Sequence, residues 1–155
     1  MSTQPIIAVG TVILTVVAME GIATAVHRHV MHGWGWGWHR SHHEPSESRF
    51  ERNDWYAVIF GLLSLGLFVA GDRWPALWWV GFGTLVYGLL YFLVHDGLVH
   101  RRVPFPKTRL SGYAKRLVQA HRLHHSVHGR EGAVSFGFLY APPVAGLLER
   151  LKGRQ

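Results

Sequence analysis

Three long apolar runs divide this chain, and their length restricts its fold more than any other feature. Residues 6–26 contain a single charge, Glu20, and residues 55–71 and 75–94 contain none. About 20 residues of helix, rising roughly 1.5 Å each, cross the ~30 Å hydrocarbon layer of a bilayer. An open sheet cannot cross that layer, because its edge groups would lack hydrogen-bond partners. The sequence therefore predicts an all-α, integral membrane helical bundle.

A fourth apolar segment, residues 132–148, is interrupted by Pro142 and Pro143. Because proline interrupts helices, this segment either crosses as a fourth span or forms a broken or re-entrant helix packed against protein. Full crossing would place Arg150, Lys152 and Arg154 on the side opposite to most other basic residues. We expect about four membrane-embedded helices in all.

The composition supports a membrane protein. Hydrophobic residues make up 48% of the 155 residues and charged residues only 16%, whereas a quarter is usual for charged residues. The formal charge of +7 comes from residues between the apolar runs, which suits anionic lipid headgroups, so we expect no nucleic-acid partner.

The N-terminus lacks the basic segment of a signal peptide, which favours a retained first span. The length suits one domain, residues 1–155.

Lys and Arg are distributed unequally between the two ends of the predicted spans. Residues 27–54 hold four and residues 95–131 hold eight, whereas the link between the second and third runs holds one, Arg73. Cytoplasmic loops carry an excess of basic residues. We therefore expect the histidine-rich ends to face the cytoplasm.

The histidines show one spacing that occurs twice, H-x4-H followed by H-x2-H-H. The ten residues that follow it are His27, His32, His39, His42, His43, His95, His100, His121, His124 and His125. His29 and His128 lie outside the repeat, and we interpret them as side chains of the membrane interface. The chain has no cysteine, so a metal site must use nitrogen and oxygen ligands. Ten patterned histidines exceed the needs of one ion and predict two.

The two spacings differ in what a helix can do with them. Residues i, i+3 and i+4 share a helical face, so each H-x2-H-H set can point at one site. Residues five apart on a straight α-helix point about 140° apart. Each H-x4-H pair lies at the end of an apolar run, so either unwinding or a π-bulge turns both inward, or each histidine serves a different metal. Imidazole binds zinc, copper, iron and nickel alike, so the ligands do not select the metal.

Two acidic residues are candidates for positioning ligands. Glu20 precedes His27 by seven residues, which places it on nearly the same helix face and about 10 Å deeper. It either orients a ligand histidine or hydrogen-bonds a neighbouring helix, and a carboxylate inside a span is functional by default. Asp96 adjoins His95 and is expected to orient that imidazole rather than to bind metal itself.

Two other classes of protein fit part of the pattern. A membrane metal transporter or metal-binding protein would carry ligands near mid-membrane along a path, whereas these histidines cluster on one side. A bis-histidine haem protein would carry facing histidines inside two spans. The H-E-x-x-H motif is absent, which argues against a zinc protease.

Longer motifs carry a resemblance to a known family. They are M-E-G-I-A at 19–23, H-R-H-V-M-H-G-W-G-W-G-W-H-R-S-H-H-E-P at 27–45, N-D-W-Y-A-V at 53–58, Y-G-L-L-Y-F-L-V-H-D-G-L-V-H at 87–100, A-H-R-L-H-H at 120–125 and E-G-A-V-S-F-G-F-L-Y-A-P-P at 131–143. With them the chain resembles the fatty acid hydroxylase superfamily of membrane di-iron oxygenases and, within it, the bacterial β-carotene 3-hydroxylases. The resemblance covers nearly the whole chain.

The resemblance implies a function, cofactors and partners. The family uses O₂ to hydroxylate carbon 3 of β-ionone rings, from β-carotene through β-cryptoxanthin to zeaxanthin, and often accepts 4-keto rings on the route from canthaxanthin to astaxanthin. The resemblance also implies two Fe ions held by the ten motif histidines, which zinc can replace in purified protein. It further implies a reduced ferredoxin-type electron donor and a multi-pass location in the bacterial inner membrane. Aromatic residues at 87–92 and 136–140 either line the carotenoid passage or pack between helices.

Overall fold

The computed structural model of the chain describes residues 4–44, 48, 50–104 and 109–153. Its elements in chain order are α1 (Gln4–Val26), a first π-helical segment (His27–Trp34), α2 (Trp36–His43), α3 (Asp54–Gly71), α4 (Pro75–Tyr91), a second π-helical segment (Phe92–Val99), α5 (Gly112–His125) and α6 (Val144–Lys152). No strand occurs within these described ranges. The predicted all-α class is confirmed.

Three helical stretches of the described chain are long and apolar enough to cross a membrane. They are Gln4–Trp34, Asp54–Gly71 and Pro75–Val99. Large apolar side chains such as Ile6, Leu14 and Leu62 are exposed along them. Helices that are apolar on every side suit a lipid environment, because lipid and not water then contacts their outer faces.

Small residues let the three spans approach one another closely. The Ser64 hydroxyl of α3 donates a 2.8 Å hydrogen bond to the carbonyl of Gly81 on α4. A Cβ added to Gly83 of α4 would lie 2.6 Å from the Cβ of Thr15 on α1. Such residues are enriched where membrane helices pack without a hydrophobic driving force. The helix α4 therefore lies against both α1 and α3, and the short link after α3 makes α3 and α4 a hairpin.

The fourth apolar segment has the broken form. Residues 127–143 have no regular structure, and α6 that follows has nine residues. A helix of that length extends only about 14 Å, which is too short to cross a bilayer. Leu147 of α6 packs against Ala120 of α5. Because the segment is not a continuous span, Arg150 and Lys152 need not lie opposite the other basic residues, while Arg154 lies outside the described residues.

Candidate metal centre

The histidines at the ends of the first and third spans meet those of α2 and α5. Nine of them form two groups in which one ring nitrogen of each residue lies within 4.8 Å of the others. The five-histidine group is His27, His32, His39, His43 and His124. The four-histidine group is His42, His100, His121 and His125. His95 adjoins the second group, because its Nε2 lies 3.1 Å from Nε2 of His42. All ten histidines of the repeat are thus brought together, whereas His29 and His128 are exposed.

The two π-helical segments align the H-x4-H pairs. Their backbone bonds join residues five apart, as from the amide of Gly35 to the carbonyl of Val30 at 2.9 Å and from the amide of His100 to the carbonyl of His95 at 2.9 Å. This wider turn places residues five apart on the same side of the helix. The ring centroids of His95 and His100 are accordingly 4.5 Å apart. The structure therefore has the π-helical geometry, which is one of the alternatives that the H-x4-H spacing left open.

Each H-x2-H-H helix contributes to both groups. On α2, His39 and His43 belong to the five-histidine group, with their Nε2 atoms 3.2 Å apart, while His42 belongs to the other. On α5 the assignment is reversed, because His121 and His125 join the four-histidine group and His124 joins the five-histidine group. The i, i+4 pair and the i+3 residue thus belong to different groups, so each of these two helices supplies both groups.

In the five-histidine group, the ring nitrogen that faces outward is hydrogen-bonded to protein. The Nδ1 atoms donate to the carbonyls of Phe136, Arg130, Val127 and Val134, which orient His27, His32, His43 and His124 at 2.8, 2.8, 3.2 and 2.9 Å. The fifth, of His39, lies 2.7 Å from Oδ1 of Asn53. Carbonyl oxygens only accept hydrogen bonds, so the proton of each neutral ring lies on Nδ1. Each Nε2 therefore carries a bare lone pair.

These bare nitrogens fit a bound cation. The Nε2 atoms of His27 and His39 are 3.0 Å apart, and those of His32 and His124 are 3.1 Å apart. Two lone pairs that face each other at this distance repel, and a shared metal ion would satisfy both. Metal-binding histidines typically donate their other N–H to a carbonyl or carboxylate. The donor set therefore fits a metal ion bound by nitrogen.

Burial keeps these imidazoles neutral. It lowers the pKa of His39 to about 3 and the pKa of His43 to about 4. Burial also lowers the pKa of His124 well below its ordinary value. A protonated imidazole cannot bind metal, so the lowered pKa values keep the Nε2 lone pairs available at neutral pH.

Carboxylates orient the histidines around the four-histidine group. Nδ1 of His42 lies 2.9 Å from Oε2 of Glu51, and Nδ1 of His95 lies 2.8 Å from Oδ1 of Asp96. Arg102 donates two hydrogen bonds, of 2.7 and 2.8 Å, to Asp54 and lies 3.6 Å from Asp96. Asp96 lies beside His95, within a network that also joins the start of α3 to the residues after the second π-helical segment.

Two orienting residues were missed by sequence reasoning. The polar sequence from Pro45 to Asp54 is typical of a surface connection, yet Asn53 is only 4% exposed and bonds to His39. Glu51 likewise turns inward to His42. Positions 45–47 and 49 of that stretch lie outside the described residues. The N-D-W-Y-A-V motif contained Asn53, but nothing in its spacing indicated which histidine it would contact.

Glu20 makes its hydrogen bonds to residues other than histidine. Its carboxylate accepts a 2.8 Å hydrogen bond from the Tyr87 hydroxyl of α4. It also accepts backbone hydrogen bonds from Phe138, Leu139 and Tyr140. Of the two sequence alternatives, the structure has the bond to a neighbouring helix, together with a second set of partners that the sequence did not indicate.

An apolar cavity of about 300 Å³ lies among α1, α3 and α4 beside the histidines. Phe138 lines it and stacks on His27 with ring centroids 4.9 Å apart. Tyr91 also lines it and stacks on His95 at 4.6 Å. Of the aromatic residues at 87–92 and 136–140, Tyr87, Tyr91 and Phe138 therefore line the cavity, and the last two contact the histidines.

The chain matches the family model described as fatty acid hydroxylase over residues 12–142. It belongs to the fatty acid hydroxylase family. The match includes both histidine repeats and all three stretches long enough to cross a membrane, apart from the first eight residues of α1. No solved structure matches this member of the family.

Several curated relatives are similar to this chain over most of its length. The β-carotene hydroxylase of Pantoea ananas is 57% identical over 145 residues, which cover 92% of this chain and 82% of the relative. That of Paracoccus sp. (strain PC1) is 55% identical, covering 91% and 88%. The chloroplastic β-carotene 3-hydroxylase of Haematococcus lacustris is 41% identical, covering 86% of this chain and 44% of the relative.

Proposed function

We propose that this chain is a membrane-bound di-iron oxygenase that hydroxylates carbon 3 of carotenoid β-ionone rings. It would convert β-carotene through β-cryptoxanthin to zeaxanthin. The observation that carries the proposal is an apolar cavity among the membrane helices whose wall residues Phe138 and Tyr91 stack on the buried histidines His27 and His95. The names of the bacterial relatives, at 54% to 58% identity, point to the same substrate class.

The ten histidines of the repeat are proposed to hold two iron ions. The five-histidine group would hold one, and the four-histidine group with His95 the other. Bound iron supplies the redox chemistry with O₂ that an unactivated ring C–H bond requires, which no side chain can supply. The chain orients the imidazoles through the carbonyls, Asn53, Glu51 and Asp96.

The cavity is suited to an apolar ring. Several polar side chains in its wall are hydrogen-bonded within the protein: Tyr56 donates to the carbonyl of Gly35 at 3.0 Å and Thr84 to the carbonyl of Val80 at 2.9 Å. Little unpaired polarity is therefore left to hold water there. Phe138 and Tyr91, which stack on His27 and His95, would contact the ring at this end of the cavity, and the polyene would extend between the spans toward lipid.

The proposal includes further partners. A ferredoxin-type protein would deliver electrons, and 4-keto rings such as those of canthaxanthin would also be accepted, giving astaxanthin. The active site would face the cytoplasm of a bacterial cell, because the basic residues concentrate at the histidine end of the spans. A transporter fits less well, because both groups lie at one end of the spans rather than along a path through them.

Pigment analysis tests this function. We expect cells that make β-carotene and express this chain to accumulate zeaxanthin, with β-cryptoxanthin as the intermediate. The matched controls are His39→Ala, which removes a residue of the five-histidine group, and His29→Ala, which alters an exposed histidine outside both groups. The first should abolish hydroxylation and the second should preserve it. Unchanged β-carotene in cells whose inserted protein carries two metal ions would contradict the proposal.

A further inference from the structure

The connection between α5 and α6 carries most of the hydrogen-bond acceptors of the five-histidine group. Residues 127–140, here called the carbonyl loop, direct the carbonyls of Val127, Arg130, Val134 and Phe136 at four of the five histidines. The loop has no regular structure of its own. Its conformation must therefore be held by contacts with the rest of the protein.

The part of the carbonyl loop nearest the centre has a strained backbone. Ser135 has a φ of 59°, in the left-handed region that side chains other than glycine rarely adopt. This turn lies between Val134 and Phe136, whose carbonyls orient His124 and His27. Backbone strain of this kind persists only where the surroundings impose it.

Glu20 supplies such a constraint from inside the first span. Its Oε1 accepts hydrogen bonds from the amides of Phe138 at 3.0 Å, Leu139 at 3.1 Å and Tyr140 at 2.9 Å. Backbone N–H groups at membrane depth are costly unless they are paired within the protein. One carboxylate thus pairs three consecutive amides of a re-entrant loop, directly after the residues that orient the histidines.

Gly137 shows how closely the loop is held to that carboxylate. A Cβ at this position would lie 2.8 Å from Oε1 of Glu20 and 2.6 Å from the carbonyl oxygen of Tyr140. An alanine here would have to displace either the carboxylate or the loop backbone. In contrast, a Cβ at Gly129 in the same loop would come no closer than 3.9 Å to its nearest neighbour, the carbonyl oxygen of Glu131.

We propose that Glu20 is a positioning residue for the five-histidine group: its carboxylate anchors the carbonyl loop and thereby holds the acceptors that orient His27 and His124. The proposal rests on the metal centre proposed above. It assigns Glu20 an effect on metal binding although its hydrogen bonds go to residues other than histidine. The role depends on an oxygen that accepts N–H groups, and not on a negative charge.

Metal release from the purified full-length protein tests the anchor. In Glu20→Met the acceptor oxygens are removed, and we expect the affinity of one of the two metal sites to fall roughly 10- to 100-fold, as for other residues that orient ligands. Glu20→Gln should retain most of the affinity, because its one oxygen can replace Oε1 while its amide faces the Tyr87 hydroxyl. Chelator competition with metal analysis gives both values.

Three further variants make the test specific. Gly137→Ala should reproduce the metal loss of Glu20→Met although the Glu20 side chain is still present. This variant decides between the outcomes if Glu20→Met does not fold. Gly129→Ala should bind metal as the wild type does. Tyr87→Phe removes a partner of Oε2 but leaves the loop bonds, so its metal content should be unchanged. Hydrogen exchange of residues 138–140 should accelerate in Glu20→Met and remain slow in Tyr87→Phe.

The outcomes separate this inference from the function on which it rests. Wild-type release rates of both metals in Glu20→Met and Gly137→Ala would overturn the anchor and leave the oxygenase proposal intact. Metal loss in Glu20→Gln as complete as in Glu20→Met would also overturn it, because charge would then be the property that matters. A wild-type protein that binds no transition metal would overturn both.

Discussion

At the scale of single residues, the position of one proton on each imidazole decides what the centre can bind. Nδ1 of His32 donates to the carbonyl of Arg130, and Nδ1 of His124 donates to that of Val134. Their Nε2 atoms are consequently bare and 3.1 Å apart. The identity of the histidines could be predicted from their repeat. Their partners could not, because Arg130 lies 98 residues after His32 in the chain and no local pattern relates the two.

Asn53 offers a direct test of this orientation. Asn53→Ala removes the acceptor 2.7 Å from Nδ1 of His39, and we expect metal affinity to fall roughly 10- to 100-fold. Asn53→Asp is the matched control, since it keeps an acceptor oxygen at the same place and should bind metal more tightly than the alanine variant. Competition with a chelator measures both. Equal affinity of the alanine variant and the wild type would show that His39 does not need this bond.

At the scale of elements, the π-helical segments are what reconcile the H-x4-H spacing with a common site. Spacing alone left three possibilities open: unwinding of the helix, a π-bulge, or histidines that serve different metals. The i to i+5 bonds at Val30–Gly35 and His95–His100 are those of the second. The broken segment after α5 could be anticipated from Pro142 and Pro143. Its re-entry beside Glu20 could not, because this contact joins residues 118 to 120 positions apart.

The contact between α1 and α4 gives an element-scale prediction. In Gly83→Ala the new Cβ would lie 2.6 Å from the Cβ of Thr15, so we expect destabilisation of about 1–3 kcal/mol from overpacking. Gly66→Ala on α3 is the control, because a Cβ there meets nothing within 4 Å. Thermal unfolding in detergent should show a lower midpoint for the first variant only. Equal midpoints would mean that α1 and α4 accommodate the added Cβ of Gly83→Ala without loss of stability.

At the scale of the whole molecule, three spans place the histidine-bearing ends on one side of the membrane. The excess of basic residues at that end predicts that it is cytoplasmic. A reporter fused after Asp54 should therefore be cytoplasmic, and one fused at Asp72 periplasmic. Enzymatic reporters active in only one compartment distinguish the two. The reverse pattern would contradict the orientation inferred from charge.

The two groups also predict a metal count for the whole chain. We expect two ions per chain, one for each group. Nitrogen ligands bind zinc more tightly than ferrous iron. Protein isolated from zinc-rich medium should therefore carry two zinc ions. That form should be inactive, because zinc has no redox chemistry, and reconstitution with ferrous iron should restore hydroxylation. Full occupancy by a single ion, or activity sustained by zinc alone, would contradict the proposal.

Each histidine group contains residues from both halves of the chain, and this determines when during synthesis the groups can form. The five-histidine group takes four residues from the N-terminal part of the chain and its fifth, His124, from α5. The carbonyl that orients His27 belongs to Phe136, which leaves the ribosome later still. All three spans precede these residues, so the helices enter the bilayer before either group is complete. A metal ion that needs a complete group would therefore bind only after insertion, and a nascent chain that stalls before α5 would be a membrane protein in which neither group is complete.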